Sequence, residues 1–234
     1  MDDSKNTGAI EKYLTPIAVV VGALIIAGAF AFGGAGKKAD TDQGAAQAVN
    51  IKDVKTENTP FVGDPNAPVT MAVWFDYQCP FCKQLELNVT SQVYEKYVKT
   101  GKVKIVLKDF QFLGEDSDTD ALFARAMWEA YPDKYYEWYI AMFVAQDDEG
   151  DKGFGDLASV QALTAKIPGV DVDKVTKLMT DKKAEYTSRI AADRAEGQAL
   201  GINGTPAIII GTKLLSGAQP ITAIAPLLDE QLKK

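Results

Sequence analysis

From residue 60 onward, apolar and polar positions follow patterns that predict an α/β fold. Apolar side chains occupy every second position of residues 69–76, which indicates a short buried strand. They then recur at intervals of three and four along residues 81–99, which indicates a helix. Gly101 ends that helix, and residues 102–110 predict a second strand.

The segment from about residue 111 to residue 200 is mostly helical by the same criterion. Helices are expected to begin near Asp156 and near Asp171, the second running toward Leu200. Residues 206–217 predict a hairpin of two short strands, and a last helix follows it. The predicted order is therefore strand, helix, strand, a helical insertion, two strands and a helix.

A different pattern occupies the N-terminal part, where residues 14–36 carry no charged side chain. About 20 apolar residues span the hydrocarbon core of a bilayer, so this segment predicts one transmembrane helix after a short tail of residues 1–13. A cleavable signal peptide is the alternative, although its apolar region is usually only about 7–15 residues long. Residues 37–59 are polar and predict a flexible linker, and residues 60–234 then form one domain.

Composition excludes several classes of function. The net charge of −7 argues against a nucleic-acid partner, because phosphates require a basic surface. The chain has no histidine and only two cysteines, Cys79 and Cys82, so histidine-based catalytic triads and most transition-metal sites are excluded. We expect neither a metal nor a cofactor.

The two cysteines form one Cys-x-x-Cys motif in the stretch "WFDYQCPFCKQLE". The first interpretation is half of a structural zinc site. Such a site uses four Cys or His ligands, and this chain has no further Cys or His to complete it. A purely structural disulfide closing so small a loop would stabilise the fold only weakly. A redox-active dithiol is the third interpretation, and the position of the motif favours it.

That position is the junction between the first predicted strand and its helix. Cys79 would lie at the helix N-terminus, where unpaired N–H groups favour an anion such as a thiolate. Pro80 suits the first turn, because its missing N–H costs nothing there. Cys82 follows almost one turn later and points more toward the protein. We therefore expect Cys79 to be the exposed nucleophile and Cys82 the resolving thiol.

The motif "DYQCPFCK", preceded by "GDPNAPVT" and followed by "GINGTPAIIIG", resembles the DsbA-like branch of the thioredoxin superfamily from about Phe61 to the C-terminus. The resemblance implies a thioredoxin fold with a helical insertion between the second strand and the strand that follows Pro206. It also implies that the Thr205–Pro206 peptide bond is cis and faces the dithiol, where Thr205 backbone groups pair with an extended substrate segment.

Phe81 departs from the best-known oxidases of this branch, which carry His at that position. Without a cationic His, a helix terminus alone would lower a thiol pKa from about 8.5 to no less than about 7. Asp76 lies nearby and would oppose this effect. We therefore expect Cys79 to be reactive but to be a weaker oxidant than the extreme members of the branch.

These features together predict a membrane-tethered thiol–disulfide oxidoreductase that donates a Cys79–Cys82 disulfide to reduced secreted proteins. The resemblance implies a membrane-embedded thiol oxidase as its redox partner and an extracytoplasmic location, periplasmic or on the cell surface. A reductase or isomerase of the same fold is one alternative. The other is a redox-inert peptide-binding or chaperone module whose cysteines only brace the start of the helix.

Overall fold

A five-stranded mixed sheet forms the centre of the computed structural model, which describes residues 49–147 and 153–234. The strands are β1 Phe61–Val62, β2 Val69–Phe75, β3 Val103–Asp109, β4 Ala207–Ile210 and β5 Lys213–Ser216. Their order across the sheet is β1-β3-β2-β4-β5. The β2 and β3 strands are parallel, and every other neighbouring pair is antiparallel.

Seven longer helical elements accompany the sheet in the described residues. The first, α1, is a continuous run over residues 80–98 in which α-helical and π-helical segments alternate: Pro80–Leu85, Glu86–Thr90, Ser91–Val93 and Tyr94–Val98. The others are α2 Glu115–Ala130, α3 Tyr135–Ala145, α4 Leu157–Thr164, α5 Val172–Asp181, α6 Lys183–Ala199 and α7 Ile221–Gln231. Two short 3-10 turns lie at Ile51–Asp53 and Pro132–Lys134.

The central strand β2 is buried on both faces. Met71, Val73 and Phe75 belong to the larger core, which α1, α2 and α3 cover. Ala72 and Trp74 belong to a second core on the opposite face of the sheet. Because β2 is enclosed between these two cores, its carboxyl end is held in place, and Cys79 follows that end by four residues.

The element order confirms the predicted α/β topology. After the short strand β1, two strands follow with a helix between them, the helices α2 to α6 form the insertion, and the hairpin and α7 complete the fold. This is a thioredoxin-like fold with a helical insertion.

Residues 49–59 differ from the predicted flexible linker over 37–59. Val49 and Val54 are buried in the second core, and the Ile51 N–H donates to the Gly211 carbonyl at 2.7 Å. The folded part therefore includes at least eleven residues before Pro60. The apolar residues within 49–59 are too few and too irregularly spaced to reveal this packing in the sequence.

Two further differences concern β1 and α5. The sequence indicated no strand before residue 69, but Phe61 and Val62 pair with Val106 and Ile105 at the edge of the sheet. The long helix expected from Asp171 is divided into α5 and α6, because Lys182 leaves the helical conformation, with φ −108° and ψ 14°.

The predicted tail over 1–13, the apolar span over 14–36 and residues 37–48 lie outside the described residues. Among the helices that the structure does describe, none combines the length and apolar character that crossing a membrane requires.

Candidate functional site

The dithiol lies where β2 passes into α1. Cys79 is the N-cap residue of α1 with an extended backbone, at φ −79° and ψ 119°, and Pro80 is the first helical residue. The Cys79 carbonyl accepts hydrogen bonds from the N–H groups of Cys82 and Lys83, at 3.0 and 3.1 Å. This arrangement leaves the first N–H groups of the helix directed toward the Cys79 side chain.

The loop before β4 closes over this helix terminus. The peptide bond between Thr205 and Pro206 is cis. The Thr205 carbonyl oxygen lies 3.5 Å from Cys79 Sγ. The Thr205 hydroxyl is buried and has no hydrogen-bond partner among the described residues, so it is free to donate to a thiolate. The structure therefore brings together Cys79, Cys82, Thr205 and Pro206, which are far apart in the sequence.

Cys79 is less exposed than the sequence indicated. Only 4% of its surface is accessible, because the Thr205 loop lies against it, while Cys82 is fully enclosed. Both cysteines are free thiols in the structure. Cys79 is still the outer of the two, and its role as nucleophile, with Cys82 as resolving thiol, stays a prediction.

The two thiols have opposite electrostatic environments. A hydrogen bond from the Cys82 thiol is the largest influence that lowers the pKa of Cys79, to about 6, against the opposing effect of burial. Thr205 and the backbone N–H groups of Cys82 and Phe81 lower it further. Burial, and then the neighbouring Cys79, raise the pKa of Cys82 well above its usual range.

The helix terminus is therefore not the main influence on Cys79, contrary to the sequence prediction of a pKa no lower than about 7. The hydrogen bond from Cys82 and the contact with Thr205 were not part of that argument. Both depend on the distances between groups in the folded chain.

Replacing Cys82 with Ala is expected to raise the pKa of Cys79 from about 6 toward its usual range, because this change removes the largest stabilising hydrogen bond. The rate of alkylation by iodoacetamide rises with pH as the thiolate forms, so its midpoint reports this pKa. Cys82→Ser is the matched control, since its hydroxyl still donates. An unchanged midpoint in Cys82→Ala would show that Cys82 does not stabilise the thiolate.

Asp76 stabilises the turn that carries Cys79 through hydrogen bonds. One carboxylate oxygen accepts from the Gln78 N–H at 2.9 Å and from the Ser117 hydroxyl at 2.7 Å, and the other accepts from the Phe112 N–H at 2.9 Å. Burial raises the pKa of Asp76, and these bonds partly offset that rise. The carboxylate thus connects the ends of β2 and β3 to the start of α2. Its effect on the dithiol stays a prediction.

Phe81 points outward beside Cys79, with 60% of its surface exposed. Phe112 is 47% exposed and follows β3, whose end lies beside that of β2. These two rings therefore expose apolar surface near the carboxyl ends of β2 and β3, where the dithiol lies.

The sequence did not reveal two residues near the dithiol. The Gln146 side-chain amide donates to the carbonyls of Tyr77 and Cys79, the latter at 3.1 Å, so the C-terminus of α3 holds the turn that carries Cys79. Glu86 is completely buried four residues after Cys82. Its helical spacing from Cys82 was visible in the sequence, whereas the contacts of Gln146 had no sequence signal.

Comparisons with known proteins agree with this geometry. The family described as thioredoxin matches residues 55–230. The probable disulfide bond formation protein D of Bacillus anthracis is 26% identical over 174 residues, which cover 74% of this chain and 78% of that protein. Disulfide bond formation protein D of Bacillus subtilis (strain 168) is 25% identical over 195 residues, covering 82% and 85% of the two chains.

Solved structures show the same fold. The crystal structure of oxidised BdbD from Bacillus subtilis matches with a TM-score of 0.71 at 22% identity, and the match covers 80% of this chain and 99% of that one.

Proposed function

The chain belongs to the thioredoxin family, and from this premise we propose that it donates a Cys79–Cys82 disulfide to protein substrates outside the cytoplasm while tethered to a membrane. It is a thiol–disulfide oxidoreductase of the DsbA-like type. The observation that supports the oxidase direction is the asymmetry of the dithiol. Cys79 has a lowered pKa at a helix N-terminus, whereas Cys82 is enclosed and has a raised pKa.

The asymmetry determines the order of the exchange steps. A substrate thiolate attacks Cys79 Sγ, the S–S bond breaks, and its electron pair passes to Cys82. A second substrate thiolate then attacks the substrate sulfur of the mixed disulfide and displaces Cys79 as a thiolate. A leaving thiol with a low pKa leaves faster, and a stabilised thiolate makes the disulfide more oxidising. The reaction requires no cofactor beyond this dithiol.

The Thr205–Pro206 loop is the proposed substrate-binding element. The Thr205 carbonyl faces Cys79 at 3.5 Å, so an extended substrate segment that pairs with Thr205 would bring its cysteine to the nucleophile. Phe81 and Phe112 supply apolar contacts for the exposed hydrophobic residues of an unfolded substrate. Reduced secreted proteins have this combination of free thiols and exposed apolar side chains.

The apolar segment over residues 14–36 supports the membrane tether, since its length suits a bilayer span. A tether would keep the domain near a membrane-embedded thiol oxidase that restores its disulfide. We place the catalytic domain on the periplasmic or cell-surface side, because disulfides persist outside the reducing cytoplasm.

The reduction potential of the Cys79–Cys82 pair tests the oxidase direction. The full chain in detergent is equilibrated with glutathione buffers, and the fraction of alkylated Cys79 is measured. We expect a value between about −120 and −180 mV, the range of strong oxidants and disulfide isomerases. A value near about −270 mV, as in thioredoxin, would assign the protein as a reductase instead.

A further inference from the structure

A groove of about 590 Å³ lies where the β1 edge of the sheet meets the helical insertion. Its lining comes from β1 and the loop after it, from the second half of α1, and from the residues around the end of α2 and the start of α3. Small-molecule sites typically enclose about 300–1,000 Å³. Tyr94 of α1 lines the groove and follows Cys79 by 15 residues, which is roughly 20 Å along a helix. The groove is therefore a site separate from the dithiol.

Aromatic side chains make up much of the lining. The four rings in the groove are Phe61, Tyr94, Trp128 and Tyr136. Phe61 and Trp128 meet edge to face with their ring centroids 6.1 Å apart, and the rings of Tyr94 and Tyr136 stack at 3.9 Å. All four side chains are partly exposed, whereas the other two tryptophans of the chain are fully buried. The groove thus presents aromatic surface to solvent.

The charges in the lining favour a positively charged ligand. Besides the rings, the groove is lined by the carboxylates of Asp64 and Asp133 and by one cation, Lys99. Lys99 is paired with Glu95 at 2.7 Å, but neither aspartate has an ion-pair partner in the part of the chain that the structure describes. Carboxylates and the faces of aromatic rings both attract cations.

The rings differ in how far they are available to a ligand. Tyr94 already contacts Tyr136 on one side, and the Lys99 ammonium lies 5.6 Å from its centroid. Trp128 and Phe61 contact each other only at an edge. Trp is the strongest cation–π partner among the aromatic side chains, so Trp128 should contribute most to binding.

The chemistry of the lining also selects among cations. Ca²⁺ requires six to eight oxygen ligands, and no cluster of three or more metal-binding side chains occurs within residues 49–147 and 153–234. A primary ammonium is strongly hydrated and loses hydrogen bonds to water when it enters such a groove. A quaternary ammonium has no N–H to leave unpaired, and aromatic cages recognise such groups.

We propose that this groove binds a small organic monocation that carries a quaternary ammonium group, such as choline. The ammonium contacts the rings of Trp128 and Phe61, and the carboxylates of Asp64 and Asp133 balance its charge. A zwitterion such as phosphocholine binds more weakly, because its phosphate is repelled by the same carboxylates. Since both the sheet edge and the insertion contribute to the lining, the bound cation also stabilises the contact between them.

Isothermal titration calorimetry with choline chloride tests the proposal. The full chain is kept in a maltoside detergent, which contains no ammonium group, and sodium chloride of equal ionic strength serves as the blank. We expect saturable binding with a dissociation constant on the order of 1 mM or tighter. The neutral isostere of choline, in which carbon replaces nitrogen, should bind at least about tenfold more weakly. Phosphocholine should also bind more weakly than choline.

Variants locate the binding site. Trp128→Leu should weaken choline binding at least about tenfold and leave the pH midpoint of Cys79 alkylation unchanged, which shows that the fold is retained. Phe61→Leu tests the same contact from β1 if the loss of Trp128 disturbs α2. Asp133→Asn should weaken binding several-fold. Asp53→Asn is its matched control, because it removes an exposed carboxylate outside the groove with the same change in charge.

Heats no larger than those of the sodium chloride blank would overturn the proposal, and so would equal affinities for choline and its neutral isostere. Wild-type affinity in both Trp128→Leu and Phe61→Leu would place any binding elsewhere and overturn it too. Tighter binding of phosphocholine than of choline would contradict the preference for a monocation and indicate a lipid headgroup instead. The oxidoreductase function does not depend on any of these outcomes.

Discussion

Replacing Cys79 with Ser is expected to reduce the rate of disulfide exchange by at least about three orders of magnitude, as is usual when an enzyme loses its nucleophile. Replacing Cys82 with Ser should have a different outcome. The Cys79 thiolate can still attack a substrate disulfide, but no thiol remains to resolve the product. The Cys82→Ser variant should therefore accumulate covalent complexes with its substrates. The reason is the geometry, in which Cys79 faces the Thr205 loop and Cys82 is enclosed behind it.

Two measurements distinguish these outcomes. The rate of oxidation of a reduced, unfolded client protein gives the loss of activity. Non-reducing electrophoresis after incubation with a disulfide-bonded client protein shows the covalent complexes. The complexes should disappear when a reductant is added. Complexes that accumulate in Cys79→Ser and not in Cys82→Ser would reverse the roles of the two thiols. Full function in cells with both cysteines replaced by Ser would support the chaperone alternative.

Regular patterns of the sequence predicted most of the fold. The strand predicted over 69–76 is Val69–Phe75, and the hairpin predicted over 206–217 is β4 and β5. Both rest on alternation or on apolar runs bounded by turn residues, which are local signals. The strand β1 has only two residues and exists because it pairs with β3, about 45 positions later, so no local pattern could reveal it.

Only those residues of the candidate site that belong to a recognisable sequence motif could be predicted. The Cys-x-x-Cys motif located the dithiol, and the resemblance located Thr205 and Pro206. Glu86 was not singled out, because glutamate within a helix usually lies on the solvated face. Only the packing of α3 against α1 shows that this one is enclosed. The contacts of Gln146 depend on a fold in which residues 67 positions apart meet.

The buried ionic network behind the sheet should make Arg125 one of the residues on which the fold depends most. Its guanidinium contacts the carboxylates of Asp109 and Asp193, each at 2.5 Å, and all three side chains are at least 90% buried. Arg125 lies in the helical insertion, Asp109 ends β3, and Asp193 lies in α6. The network thus connects the helical insertion to β3. The neighbouring strand is β2, and the dithiol follows the end of β2.

Replacing Arg125 with Met is therefore expected to lower the free energy of unfolding by about 3–5 kcal/mol, because it leaves the buried Asp109 carboxylate without its cation and leaves Asp193 paired with Lys108 alone. Burial raises the pKa of Asp109, and Arg125 opposes this, so its pKa should rise further in the variant. A carboxyl whose pKa is raised in the folded state destabilises the fold as pH rises through that value. The loss should therefore be larger at pH 8 than at pH 5.

Urea unfolding of the variant and the wild type at both pH values measures this difference. Lys99→Met is the matched control, because it removes the cation of the Lys99–Glu95 pair, in which both side chains are more than half exposed. Pairs of that kind contribute about 0–1 kcal/mol. If Arg125→Met lost no more stability than Lys99→Met, the attraction in the buried network would not exceed the cost of burying its charges. The helical insertion would then be held to the sheet mainly by the apolar contacts of α2, α3 and α1.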